Sequence, residues 1–124
     1  MKKLTTILFC LLACAAITSC FHNDHNTSIT FQDSEHEYSM KAYFPKSKTR
    51  EVAEYMNATI GQKNSISFTN TQTDATLTLD DHTKFYMKKN PGFLEIKFNK
   101  NQNSDESFEE IKSMCQGIKQ ELAH

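Results

Sequence analysis

The chain has 124 residues, 14 Lys and Arg against 15 Asp and Glu, and 38 % apolar content. That length admits one domain and not two. A net charge of −1 is neither the balance of a nucleic-acid binder nor that of an acidic disordered tail.

Lys2 and Lys3 head a run from Leu4 to Ile17 that is dominated by Leu, Ile, Ala, Phe and Cys. It is too short to span a hydrocarbon core, which takes a helix of ~20 apolar residues. A basic head, a short apolar middle and small residues at its end read as an export signal that is later removed. Ala13-Cys14-Ala15 could serve as an ordinary cleavage site. Ile17-Thr18-Ser19-Cys20 fits a different pattern better: a branched aliphatic, Thr, Ser, then Cys. This tetrad resembles the lipobox of bacterial lipoprotein signal peptides, and the resemblance covers only the first 20 residues. It implies that residues 1–19 are removed and that Cys20 becomes an acylated N-terminus. Each buried methylene contributes ~0.8 kcal/mol, so several chains hold a protein at a membrane where one is marginal. The implied address is the cell envelope. Phe21 is not the Asp associated with inner-membrane retention in enteric bacteria, which favours the outer membrane.

Removing residues 1–19 of the 124 leaves 105, with 12 Lys and Arg against 15 Asp and Glu and a net charge of −3. Cys10 and Cys14 leave with the signal and Cys20 is acylated, so Cys115 is the one thiol left. A disulfide scaffold is thereby excluded, and stability must come from an apolar core. Residues 20–27 contain His22, Asp24 and His25 and little to bury, so they read as a flexible tether. Residues 28–124 read as a single domain.

Ser28 to Asp33 and Glu37 to Phe44 alternate apolar and polar, with Ile29 and Phe31, then Tyr38, Met40, Ala42 and Phe44, on one face. They are expected as two strands joined by a polar turn. Lys48 to Ile60 changes to helical period, with Val52, Tyr55, Met56, Thr59 and Ile60 on one side. Ser47 is its expected N-cap and Gly61 its left-handed C-terminal cap. Period two returns at Ile66 and Phe68, Leu77 and Leu79, Phe85 and Met87, then Leu94, Ile96 and Phe98, separated by turn formers such as Asn90-Pro91-Gly92. Four further strands in an antiparallel meander follow. From Asp105 to about Leu122, Phe108, Ile111, Cys115, Ile118 and Leu122 form one helical stripe. Ser104 is a cap for that helix, and Ser107 with Glu110 offers an alternative capping box.

The order ββαββββα predicts an α+β fold: a two-layer arrangement of about six antiparallel strands with two helices packed on one face.

Four places carry chemistry-bearing side chains. His22, Asp24 and His25, with Glu35, His36 and Glu37 further on, suit a transition metal in type, but their spacing matches no closed site and the tether reading is preferred. Asp80-Asp81-His82 joins acids to a base at a turn that supplies no pocket or orienting group, so turn chemistry is preferred. Cys115 falls within an apolar stripe, which makes it a small hydrophobe rather than a nucleophile. The open face of the sheet, with Tyr43, Lys84, Tyr86, Lys88, Phe93 and Lys97 beside Lys41 and Glu95, interleaves basic and aromatic residues. It is either a merely solvated face or a docking surface. Gly117 stands roughly opposite the apolar stripe of the last helix, where Gly costs ~1 kcal/mol against Ala.

The expectation is a non-enzymatic, lipid-anchored envelope protein, tied to the membrane by its lipid, that binds another macromolecule, above all a protein. It has no cofactor, no resident metal and no nucleic-acid partner. The alternative is a cell-surface binder of a small ligand, metal or glycan. An enzyme ranks last, since no nucleophile–base pair, metal set or phosphate loop stands out.

Overall fold

The computed structural model describes the backbone of Thr18–His22 together with residues 27–69 and 72–123. The chain order is β1 (Thr18–His22), β2 (Ser28–Asp33), β3 (Glu37–Tyr43), α1 (Thr49–Met56), β4 (Thr73–Thr78), β5 (Lys84–Asn90), β6 (Phe93–Asn99) and α2 (Asp105–Leu122). The strands form one sheet in the order β1-β2-β3-β6-β5-β4, and every neighbouring pair is antiparallel. A hairpin, β2–β3, and a meander, β4–β5–β6, join where β3 pairs with β6 and Met40 faces Ile96.

Alternation decides which side of this sheet is dry. Ile29, Phe31, Tyr38, Met40, Ala42, Phe85, Met87, Leu94, Ile96 and Phe98 are buried, and their strand neighbours turn to the opposite face. They close one apolar cluster with Val52, Ala53, Met56 and Ile60 from the first helical segment and Ile111, Met114, Cys115, Ile118 and Leu122 from α2. Full burial of each large side chain contributes ~1.5–3 kcal/mol. The two-layer α+β arrangement expected from the sequence is therefore the arrangement found, with both helices on the same side of the sheet.

Five of the strands expected beyond residue 27 form. Ser65–Thr69 does not: Ile66 N donates to Gly61 O at 2.8 Å, and Phe68 N donates to Asn57 Oδ1 at 2.7 Å. Phe68 is buried, as its alternation requires, but its backbone partners belong to the end of the helical segment and not to a strand. The helix itself changes character after Met56, passing through a π turn (Asn57–Gly61) and a 3-10 turn (Gln62–Asn64). Ser65, at φ 58, takes the left-handed position that was expected of Gly61. Gly61 is helical, and its need is space: a Cβ there would lie 2.6 Å from Ile66 O. At the other end Lys48 is the N-cap rather than Ser47, and no side chain caps α1.

Beyond the expected domain, β1 pairs along β2 with Cys20 opposite Thr30. The segment expected to be a tether, residues 20–27, thus opens with paired residues, Cys20 to His22. The expected signal segment up to Ile17, and residues 23–26, lie outside the described residues. No helix among the described residues is long and apolar enough to cross a membrane. Helix α2 is as expected, with Ser104 Oγ accepting from Ser107 N at 3.1 Å and Asp105 and Glu106 in the first turn, where the helix dipole favours negative charge.

Candidate functional site

The face of the sheet away from the helices is built in rows by strand register. At the end carrying the Pro91-Gly92 turn, Ser28, Tyr43, Phe93 and Asn90 lie side by side. The next row is Thr30, Lys41, Glu95, Lys88 and Asp74, and the one after it is Gln32, Ser39, Lys97, Tyr86 and Thr76. Sequence periodicity assigns these residues to a face; strand order then decides which of them touch.

Tyr43 and Phe93 are directly opposite, and their rings stack at 5.0 Å between centroids, inclined by 55°. Tyr43 is 53 % exposed, the one large apolar side chain in that state among the described residues. In the next row Glu95 collects Lys41 and Lys97, each at 3.9 Å. At that separation and exposure each pair contributes ~0–1 kcal/mol. The lysines are therefore held loosely and remain able to exchange partners. Lys97 Nζ also stands 5.9 Å over the Tyr86 ring.

Tyr86 is tied across to the neighbouring strand β4. Its hydroxyl donates to Asp74 Oδ1 at 2.6 Å. That bond, with some desolvation and the nearby carboxylates, pushes the Tyr86 phenol up to about 12. Ionising it breaks a charge-assisted hydrogen bond and sets two anions together. Lys84 lies at the far end of β5, opposite Thr78, where its backbone N–H donates to Asn103 Oδ1 at 2.8 Å. Of the six residues expected to bind, Tyr43, Tyr86, Lys88, Phe93 and Lys97 lie in these three rows, and Lys84 lies in the row beyond, where it lines a shallow depression with Tyr86 and Lys97. Between Ser39, Lys41, Glu95 and Lys97 the face carries a depression of about 360 Å³. Lys41, Lys84, Lys88 and Lys97 outnumber Glu37, Asp74 and Glu95 on this face, against the slightly acidic balance of the whole chain, net −1.

The Asp80–His82 turn and Cys115 are tied into the fold. Asp80 to Thr83 is a tight turn: Leu79 N donates to Thr83 O, His82 N to Leu79 O and Thr83 N to Asp81 Oδ1. The bonds with Thr83 hold the Asp81 carboxyl below the usual carboxylate range, and His82 sits at φ 72. His36 pairs Nδ1 with the Asn101 side-chain amide at 3.0 Å, on an exposed turn closed by Ser34 and Glu37. Asp24 and His25 lie outside the described residues, as does the side chain of His22. Among the described residues no three of His, Cys, Asp and Glu converge. Cys115 is fully buried, and burial pushes its thiol up. Gly117 faces Tyr55 of α1.

Sequence reasoning passed over one residue. Phe85 and Met87 set the inward register of β5, and the same period carries Lys89 inward too, where it is 4 % exposed. The signal lay in the alternation, two residues beyond the point where it was read. Comparison with protein-family models, with curated proteins and with solved structures finds no match to this chain.

Proposed function

We propose that this is a lipid-anchored protein of the bacterial cell envelope, fastened through Cys20, and that its uncovered sheet face docks an acidic protein partner. The anchor rests on the lipobox resemblance. The docking reading rests on one observation: an exposed aromatic, Tyr43, stacked on Phe93 in a face that neither helix covers. Rigid aromatic side chains bring large contact area at small entropic cost, and binding energy concentrates on such residues. Lys41, Lys88 and Lys97 beside that pair supply charge that steers an acidic surface and sets its orientation. The domain acts by binding, not by catalysis; Cys115 and the Asp80–His82 turn serve packing and turn geometry.

The test is crosslinking and pull-down of the anchored protein from its native envelope, with Tyr43→Ala and Lys88→Ala as comparisons. The expected result is one acidic companion, lost with Tyr43→Ala while circular dichroism and melting stay as in the wild type. A companion retained by both variants sinks the open-face assignment. Mass spectrometry of the mature chain tests the anchor: a start elsewhere than Cys20, without fatty acid, removes it.

A further inference from the structure

At the edge of the sheet opposite β1, the backbone of β4 pairs with β5 alone. The pairing runs through all six residues, Thr73 to Thr78, in one register without a bulge. None of the six is buried: Asp74, Ala75, Thr76 and Thr78 are exposed, and Thr73 and Leu77 are half-buried. By contrast β2, β3, β5 and β6 each bury alternate side chains. Ala75 stands opposite Met87 and Leu77 opposite Phe85, which puts both on the helix side. The helical layer stops short of them.

Natural sheets guard such an edge with Lys, Pro, a bulge or an obstructing charge, because its outward N–H and C=O groups are a template for another strand. β4 has no Lys, Arg or Pro. Its one charge, Asp74, accepts the Tyr86 hydroxyl at 2.6 Å and is drawn in towards β5. The strand is also its own complement. A two-fold axis normal to the sheet keeps the helices of both molecules on one side, so residues of the same face must oppose each other. With that axis at Thr76, Thr76 meets its own copy, Ala75 meets Leu77 and Asp74 meets Thr78. The two apolar residues then cover one another on the helix side, and a Thr–Thr pair forms on the other. Each Asp74 falls between Lys88 of its own row and the Lys84 that neighbours the second copy's Thr78, so opposite charges alternate across the junction. An axis at Asp74 would oppose two carboxylates, and one at Ala75 would set Leu77 against Thr73.

We propose that β4 pairs antiparallel with β4 of a second copy of this chain, about an axis at Thr76, joining two sheets into one. An isologous contact of this kind closes on itself and yields a dimer, not a filament. A six-residue edge is small beside a standard interface of ~800 Å² per partner, so the dimer dissociates on dilution. The pairing is independent of the docking surface proposed above: Phe93 and Tyr43 lie on β6 and β3, with β5 between them and this edge, and either reading can fail without the other.

The experiment is analytical ultracentrifugation of the processed full-length protein in non-ionic detergent over a concentration series, beside oxidative crosslinking of cysteine variants. A monomer–dimer equilibrium is expected. Thr76→Lys sets two ammoniums face to face at the axis and raises the dissociation constant about fivefold or more, while Tyr43→Ala leaves it unchanged. Thr76→Cys crosslinks rapidly, since opposed Cα atoms ~4.5–5.5 Å apart are within disulfide reach. Asp74→Cys and Thr78→Cys crosslink when mixed with each other, and slowly when either is alone. Cys115 is buried and gives no background. The cysteine series keeps the test alive should Thr76→Lys fold poorly. A monomer at every concentration, a dimer untouched by Thr76→Lys, or equal crosslinking at all three positions overturns the pairing. Loss of the dimer with Tyr43→Ala instead assigns association to the open face and overturns it too.

Discussion

The phenol of Tyr55 on α1 occupies the space where residue 117 of α2 would carry a side chain. A Cβ built on Gly117 collides with Tyr55 Oη and Cζ and comes within 2.9 Å of Cε2. The glycine that looks like a weakness in the helix is where the neighbouring helix enters. Gly117→Ala gains ~1 kcal/mol of helix propensity but must displace a half-buried ring, and overpacking costs ~1–3 kcal/mol. The expected net is a loss of roughly 1 kcal/mol in urea unfolding. In a Tyr55→Ala background the sign reverses, and Gly117→Ala stabilises by roughly 0.5–1 kcal/mol. Stabilisation on the wild-type background as well would mean that Tyr55 swings away freely.

The bond between Tyr86 and Asp74 has a spectroscopic signature. A phenol held at about 12 stays protonated through the range where an ordinary tyrosine ionises. The difference in ultraviolet absorbance between wild type and Tyr86→Phe, followed against pH, should show a late transition, and Asp74→Ala should move it back towards 10. The linkage has a definite sign. The folded pKa is raised, so the stabilisation is complete below pH ~10 and is lost as pH climbs through the folded value. A Tyr86 transition near 10 in the wild type would show that the hydrogen bond does not persist in solution.

Lys89 titrates in the opposite sense. Burial lowers its folded pKa below the unfolded value, so between the two the unfolded chain holds a proton that the folded one has released. Stability contributed at this position therefore rises with pH across that window, which ends near the ordinary lysine value of 10.5. The wild type should gain on Lys89→Met as pH is raised towards 10.5, measured as the difference in denaturation midpoint. Parallel curves for the two proteins would place the ammonium in water.

Five strands and both helices are legible in the sequence because each runs long enough to display its own period and is closed by turn residues. Ser65–Thr69 misleads for a physical reason. Period two reports alternate burial, and Phe68 is buried, yet strand formation also needs a backbone neighbour, which here is the end of a helix supplying Gly61 O and Asn57 Oδ1. The same limit applies at the open face. Periodicity assigns Tyr43 and Phe93 to one side, but their contact depends on β3 pairing with β6, a union of residues 50 positions apart that no local pattern encodes. Lys89 differs from both, since its inward place follows from Phe85 and Met87 by simple extension.

Thiol counting joins the core to the anchor in one measurement. Cys115 is fully buried, and a thiol pushed up by burial offers neither access nor thiolate to an alkylating or disulfide reagent. The native protein should therefore be unreactive. In denaturant it should release one thiol per chain, because Cys10 and Cys14 depart with the signal and acylation consumes the sulfur of Cys20 as the lipobox implies. Two thiols in denaturant would mean that Cys20 is present and unmodified, and the membrane attachment would fall. Reaction in the native state at a rate comparable to that in denaturant would remove Cys115 from the core, and with it the packing of α2 against the sheet.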